Sequence, residues 1–236
     1  MDRFHSPWQT ISSREVYDNP WIRVNDCRVI NPAGGEGVYG TVHFKHRAIG
    51  IIPVDEAGNT WLVGQHRYPL DAWSWEIPEG GGPPGEDPLA TAHRELREET
   101  GLSAGKLTEI MRLHLSNSVS DEEALIFLAE DLSEGSRAPE ETERLEVRKL
   151  PLRDAMRMVM DGAITDAMSV AGLLKLAVLG RISDPVAVLY RDQWCVAVGK
   201  PAGVIVHRSS QARDRDALLQ QVRDLLGRPA EQKRYD

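Results

Sequence analysis

Three glutamates in the middle of the chain are spaced so that they share one face of a helix. Glu95, Glu98 and Glu99 are three and four residues apart, so their carboxylates project side by side. Like charges so placed repel by a few tenths of a kcal/mol per pair (roughly), and Arg94, four residues before Glu98, offsets part of this. Such a face either points into solvent or offers hard oxygen ligands to Mg²⁺ or Mn²⁺.

The helix that carries these glutamates is predicted from its ends. Asp87 is a natural N-cap, Pro88 suits the first helical position, and Gly101 ends the helix. Three glycines, residues 80–82, precede it as a predicted loop. The side facing the core is predicted to consist of four residues at helical spacing: Leu89, Ala92, Leu96 and Thr100.

The complete stretch decides between the two readings of the acidic face. It runs Gly80, five residues, Glu86, seven residues, and then Arg94-Glu95-Leu96-Arg97-Glu98-Glu99-Thr100-Gly101-Leu102. This pattern resembles the Nudix hydrolase box at every fixed position. The resemblance implies hydrolysis of a nucleoside diphosphate linked to another group, with a divalent metal held by the helix.

The same resemblance assigns roles within the box. Glu95 and Glu99 would be the principal metal ligands with Glu98 beside them, and the backbone carbonyl of Glu79 would add a ligand. Arg94 would orient Glu98, which places both residues in the catalytic set. The cofactor implied is Mg²⁺, with Mn²⁺ as a substitute.

Segments around the box look like those of ADP-ribose pyrophosphatases. They are residues 46–55, 62–69, 75–80 and 162–169. In that subfamily an N-terminal β-region joins two subunits into a homodimer, and an arginine like Arg67 reaches a substrate phosphate. Aromatic residues of the N-terminal region stack on the adenine, and Trp21 and Tyr39 occupy comparable places. A tryptophan in a strand can equally be part of a core.

The chemistry also needs a base outside the helix, since the attacking water must lose a proton. Residues 140–143 form an acidic loop where this subfamily keeps a base and a further metal ligand. By that resemblance Glu141 is the predicted base and Glu143 the predicted metal ligand. The competing source of a base is the acidic run of residues 121–123.

The chain departs from the subfamily at one point. ADP-ribose-specific members commonly have Ser-Pro-Gly about 15 residues after the box, whereas this chain has Ser116-Asn117-Ser118. Hydrolysis of the diphosphate is still expected. ADP-ribose is the favoured substrate, and ADP-glucose, GDP-mannose or another nucleotide sugar stays open.

Composition limits the class of protein. The 236 residues are 41% hydrophobic and 27% charged with a net charge of −8, which is typical of a globular enzyme and not of a nucleic-acid binder. We expect no secretory signal and no membrane span, because no apolar run is long enough. Two cysteines cannot form a disulfide framework, which favours a cytoplasmic location.

The charge changes sign near Gly180. Residues 1–180 contain 18 basic and 29 acidic residues, while residues 181–236 contain 10 and 7. The later segment, residues 184–209, looks like the opening of a pseudouridine synthase domain, but the chain stops before the His-Arg-Leu-Asp motif that carries that chemistry. An unrelated extension of two strands and a helix is the alternative.

These observations predict a mixed α/β fold, in which a mixed sheet lies between helices and follows an N-terminal antiparallel β-region. The predicted parts are residues 1–45 for dimerisation, 46–180 for the Nudix domain and 181–236 as an extension. The leading function is Mg²⁺-dependent hydrolysis of a nucleoside diphosphate sugar. The alternative is an RNA-linked protein with the Nudix domain as a nucleotide sensor.

Overall fold

The computed structural model describes residues 5–135, 145–182, 187–200, 206 and 218–225. Contacts divide the chain into two compact units, Met1–Lys175 and Leu176–Asp236. In the described part of the chain, no helix combines the length and the apolar character that crossing a bilayer requires.

The first unit begins with a separate antiparallel sheet. Its strands are β1 (Gln9–Asp18), β2 (Ile22–Ile30) and β3 (Glu36–Phe44), in the order β1-β2-β3. The turn between β2 and β3 is held by the Asn31 side chain, which accepts hydrogen bonds from the amides of Ala33 and Gly35. Strand β1 is solvent-exposed along its whole length.

Two further sheets form the body of this unit. The first has the order β7-β4-β9-β8, in which only β4 and β9 are parallel; the second is antiparallel with the order β10-β5-β6. The strands are β4 (Arg47–Pro53), β5 (Asn59–Arg67), β6 (Ala72–Glu76), β7 (Glu79–Gly82), β8 (Leu102–His114), β9 (Glu123–Glu134) and β10 (Glu146–Pro151). The mixed α/β prediction is confirmed.

Helix α1 (Pro88–Thr100) follows the predicted ends. The Asp87 side chain accepts from the Leu89 amide at 3.2 Å, and Gly101 has φ +76°, the left-handed conformation that ends helices. Ala92 and Leu96 are fully buried in a core with Ile49 and Phe127. The prediction for Leu89 was wrong: it is 43% exposed, because the core side of the helix begins one turn later.

Glycines 80–82 were predicted as a loop but form the short strand β7, which pairs with β4. Two helices close the unit, α2 (Leu152–Met160) and α3 (Ala167–Val178), the latter continuing past its boundary. In the second unit the described elements are a hairpin of β11 (Ala187–Arg191) and β12 (Val196–Gly199), and helix α4 (Leu218–Leu225).

Candidate active site

The acidic face of α1 lies against β7 instead of in solvent. Glu95 and Glu99 are only 9% and 2% exposed, and Glu98 is partly buried. The backbone amide of Glu79 donates to Glu99 Oε2 at 2.9 Å, which links the strand to the helix. Carboxylates are rarely buried without a partner or a bound cation, so the groups around these acids decide what this face can do.

Gly80 is the point of closest approach between strand and helix. A Cβ atom at this position would lie 2.1 Å from Glu95 Cδ and 2.2 Å from Oε1. No side chain fits here unless Glu95 moves, since real Cβ atoms essentially never come within 3.0 Å of another heavy atom. The glycine that opens the box is therefore required by space at the Glu95 carboxylate.

Arg94 joins the acids of the box. Its Nη1 donates to Glu95 Oε1 at 2.7 Å and to Glu98 Oε2 at 3.0 Å, while Nη2 donates to Glu86 at 3.3 Å and to the Gly81 carbonyl at 3.1 Å. Burial lowers the pKa of Arg94, but hydrogen bonds to Glu86, Glu98 and Glu95 and the charge of Glu95 outweigh it and raise that pKa. The guanidinium thus stays charged and holds the carboxylates in place.

Arg67 lies at the end of β5 between two further acids. It donates from Nε and Nη2 to Glu76, and from Nη2 to Glu79 at 2.5 Å. Burial lowers the pKa of Arg67, but the hydrogen bond to Glu76 and the charges of Glu79, Glu76 and Asp166 raise it further than burial lowers it. Sequence reasoning found Arg67 but missed Glu76 and Asp166.

The side chain of Glu79 is unusually placed. Its Oε2 atom is fully buried and makes no hydrogen bond to the described residues. Burial, together with the negative charges of Asp166, Glu76 and Glu99, raises the pKa of Glu79 well above its ordinary value, although Arg67 opposes the shift. An oxygen atom in this position suits a proton or a metal ion.

A cleft of about 590 Å³ opens beside these groups. Its walls include Trp21, Arg67, Glu79, Gly80 and Glu122, so two of the three predicted substrate residues come together with the box. Clefts of this size accommodate ligands as large as a nucleotide.

Tyr39, the third predicted substrate residue, lines a different cavity of about 420 Å³. Its hydroxyl donates to the Ser118 carbonyl at 2.5 Å, and its ring lies edge-on to Trp8.

The structure describes one of the two predicted sources of a base, residues 121–123. Glu141 and Glu143 lie outside the described residues. Of the competing run, Asp121 is hydrogen-bonded to His43, and Glu123 pairs with Arg47 and Arg112.

Glu122 differs from both of its neighbours. It lines the cleft, and burial raises the pKa of its carboxyl group. It is the one member of residues 121–123 that combines a place in the larger cleft with a raised pKa.

Comparison with known proteins shows the family to which this chain belongs. A model of the NUDIX domain matches residues 44–168, more than half of the chain. The chain belongs to the Nudix family. A second model, the nucleoside diphosphate sugar hydrolase N-terminal domain, matches residues 8–42. The chain is a Nudix pyrophosphatase, and its reaction is hydrolysis of a nucleoside diphosphate sugar.

Individual relatives agree with this assignment. An ADP-ribose pyrophosphatase of Mycobacterium tuberculosis is 33% identical over 171 residues, 71% of this chain and 82% of the relative. One from Bacillus subtilis is 41% identical over 122 residues, 51% of this chain and 66% of the relative. A solved structure of an ADP compounds hydrolase matches 77% of this chain and all of its own with a TM-score of 0.68; at 23% identity it confirms the Nudix fold.

Together the two family models match residues 8–42 and 44–168, so they do not test the C-terminal segment. The resemblance of residues 184–209 to a pseudouridine synthase stays a prediction, and none of these matches supports the RNA-linked alternative.

The Nudix site has the donors that a divalent metal requires. Within the described ranges, no group of three acidic, histidine or cysteine side chains is arranged as a complete metal-binding site. The box nevertheless offers buried carboxylates, the free Glu79 Oε2 atom and the space that Gly80 leaves beside Glu95. Hard oxygen donors of this kind fit Mg²⁺ or Mn²⁺.

Proposed function

We propose that this Nudix enzyme hydrolyses ADP-ribose to AMP and ribose 5-phosphate with Mg²⁺ as its metal. One observation carries the proposal: Gly80, which lies directly against the Glu95 carboxylate of the box, lines the same cleft as Arg67. The names of the two relatives described above support ADP-ribose as the sugar nucleotide.

Three acids of the box and the backbone carbonyl of Glu79 would hold the metal, and the buried Glu79 Oε2 atom is a further donor beside them. Glu95 and Glu99 are the buried members, Glu98 is held beside them by Arg94, and Glu79 is connected to Glu99 through its backbone amide. Glu143 is the predicted further ligand, by family resemblance. When bound, the metal lowers the pKa of a coordinated water and neutralises charge on the diphosphate.

Arg67 is placed to bind a phosphate of the substrate. Its Nε and Nη2 atoms are engaged by Glu76 and Glu79, which fixes the plane of the guanidinium. Its Nη1 atom makes no hydrogen bond to the described residues, and the side chain is 36% exposed. We infer that Nη1 donates to a phosphate oxygen, while the two acids prevent the arginine from turning away.

Proton removal from the attacking water needs a carboxylate outside the box. We keep Glu141 as the proposed base, on the family resemblance of its loop. Glu122 is the alternative supported by its position in the cleft and by its raised pKa. A raised pKa brings a carboxylate closer to the operating pH, where a general base is most effective.

We further propose a homodimer formed through the N-terminal sheet. All of β1 is exposed, and Ile11 and Val16 on it are 48% and 49% exposed. An open edge strand with apolar side chains is a surface that proteins usually cover. A second copy of the chain would cover it, and light scattering on a size-exclusion column tests this by giving twice the mass of one chain.

The cysteines bear on the compartment. Cys27 and Cys195 are both free thiols. Free thiols persist in a reducing environment, so the cytoplasm is the proposed location.

A panel of nucleotide sugars tests the substrate. ADP-ribose, ADP-glucose and GDP-mannose are each incubated with enzyme and Mg²⁺, and the products are identified by mass spectrometry. We expect the highest kcat/KM for ADP-ribose, with AMP and ribose 5-phosphate as products. A higher value for another compound would replace ADP-ribose as the substrate, and no hydrolysis of any would refute the proposed function.

A further inference from the structure

The turn between β8 and β9 is attached to the N-terminal sheet. This turn, residues 115–122, will be called the β8–β9 loop. The Val42 amide in β3 donates to the Val119 carbonyl at 2.8 Å, and the Asp121 amide donates to the Val42 carbonyl at 3.3 Å. Val42 and Ser120 form an isolated parallel bridge, so the loop adds a short stretch of backbone to the edge of β3.

Side chains strengthen this attachment at both ends of the bridge. Tyr39 donates its hydroxyl hydrogen to the Ser118 carbonyl at 2.5 Å. Asp121 accepts from the Phe44 amide at 3.0 Å, and its other oxygen lies 2.5 Å from His43 Nδ1. Burial alone would raise the pKa of Asp121, but these hydrogen bonds lower it, so the carboxylate is ionised at neutral pH.

The other side of the loop forms part of the cleft. Leu115 and Glu122 both line it, and the Leu115 amide donates to the Glu122 carbonyl at 3.2 Å, which holds the two ends of the loop together. Phe44, whose amide is bound by Asp121, lines the same cleft. Asp121 therefore ties two parts of the cleft wall to each other.

We propose that Tyr39 and the His43–Asp121 pair are positioning residues, which hold the β8–β9 loop on β3 and so fix Leu115, Glu122 and Phe44 around the substrate. The inference rests on the proposed function. It gives Tyr39 a role different from stacking on adenine, because the part of Tyr39 that matters is its hydroxyl group.

Substitutions that remove individual hydrogen bonds separate these roles. Tyr39→Phe keeps the ring and its contact with Trp8 but loses the hydrogen bond to Ser118. Asp121→Ala loses both bonds of the carboxylate, whereas Asp121→Asn keeps an oxygen for the Phe44 amide. Tyr190→Phe is the matched control, since it removes a tyrosine hydroxyl bonded to Asp192 in the second unit.

Two measurements are made on the full chain. Hydrogen–deuterium exchange of peptides covering residues 115–122 should speed up in Tyr39→Phe and more in Asp121→Ala, and stay unchanged in Tyr190→Phe. For ADP-ribose, KM should rise by about fivefold to tenfold, the scale of one or two lost hydrogen bonds, while kcat stays within about threefold. Asp121→Asn should recover part of both effects.

Unchanged hydrogen–deuterium exchange of residues 115–122 in Tyr39→Phe and Asp121→Ala would refute the attachment of the β8–β9 loop to β3. Faster exchange with an unchanged KM would refute the positioning role. A fall in kcat that equals the rise in KM would also overturn it, as would a Tyr39→Phe enzyme with wild-type KM. Failure of the proposed function itself would be seen in the unsubstituted enzyme, before any variant is compared.

Discussion

Replacing Gly80 with alanine tests the packing at the centre of the site. The new Cβ would lie 2.1 Å from Glu95 Cδ, whereas ordinary contact begins at 3.4 Å, so the carboxylate must move by about 1.3 Å. Gly80 does not have a positive φ, so backbone strain does not contribute. The perturbation acts on the position of one predicted metal ligand.

The expected effect is large on turnover and small on stability. A displacement of about 1 Å in a catalytic constellation can cost about 100-fold in rate, which corresponds to about 2.7 kcal/mol of transition-state stabilisation. The atom that must yield is the end of a flexible side chain, so the fold should survive. We expect kcat/KM to fall by about 100-fold while the circular dichroism spectrum is unchanged.

Gly81→Ala is the matched control. It places the same methyl group in the same strand, but the nearest atom is His46 Nδ1 at 3.3 Å, which a small shift accommodates. The assay is steady-state hydrolysis of ADP-ribose at saturating Mg²⁺ for both variants. Near-normal turnover by Gly80→Ala, or an equal loss in Gly81→Ala, would refute the reasoning.

Three further predictions concern the base, a buried acid and the second unit. Glu141→Gln should lower kcat by about 100-fold or more with little effect on KM; if Glu122→Gln is the damaging change instead, the base lies in residues 121–123. The pKa of Glu79 is raised in the folded state. Its contribution to the free energy of unfolding is therefore complete when the pH is below the ordinary carboxyl pKa, and it is lost as the pH rises through the raised pKa. In metal-free buffer, Glu79→Gln should therefore gain Tm relative to wild type as pH rises, and a constant difference in thermal melts would contradict this. A chain ending after Arg181 should fold, dimerise and hydrolyse ADP-ribose at close to the full-length rate, whereas loss of most activity from a folded product would show that the second unit helps build the site.

The parts of the site that depend on local sequence were predictable. Helix α1 starts and stops where Asp87 and Gly101 indicate, because capping depends on residues within one turn of the end. The spacing of Glu95, Glu98 and Glu99 fixes their common face for the same reason. The resemblance to the box favoured metal binding over a solvated face, but the burial of Glu95 and Glu99 depends on packing against β7 and was not predicted.

Contacts between distant segments were not predictable. Glu76 lies on β6 opposite Val63, and the Arg67 side chain reaches along β5 to its carboxylate; no local pattern specifies the β5–β6 register that puts Glu76 within this reach. The attachment of Tyr39 to Ser118 spans 79 residues and depends on how the N-terminal sheet packs. Strand β7 was missed because three glycines predict a turn, whereas here they allow the close approach of α1.

The most direct test of the metal site is Glu99→Gln. The change keeps the shape of the side chain and an oxygen for the Glu79 amide, and it removes one negative charge from the box. Metal affinity is measured by titrating Mn²⁺ into the folded protein, and turnover of ADP-ribose is measured at saturating Mg²⁺. The account predicts a folded variant with weakened Mn²⁺ binding and turnover lowered by orders of magnitude. Unchanged Mn²⁺ binding together with near-normal hydrolysis would contradict the assignment of the α1 carboxylates as the metal site.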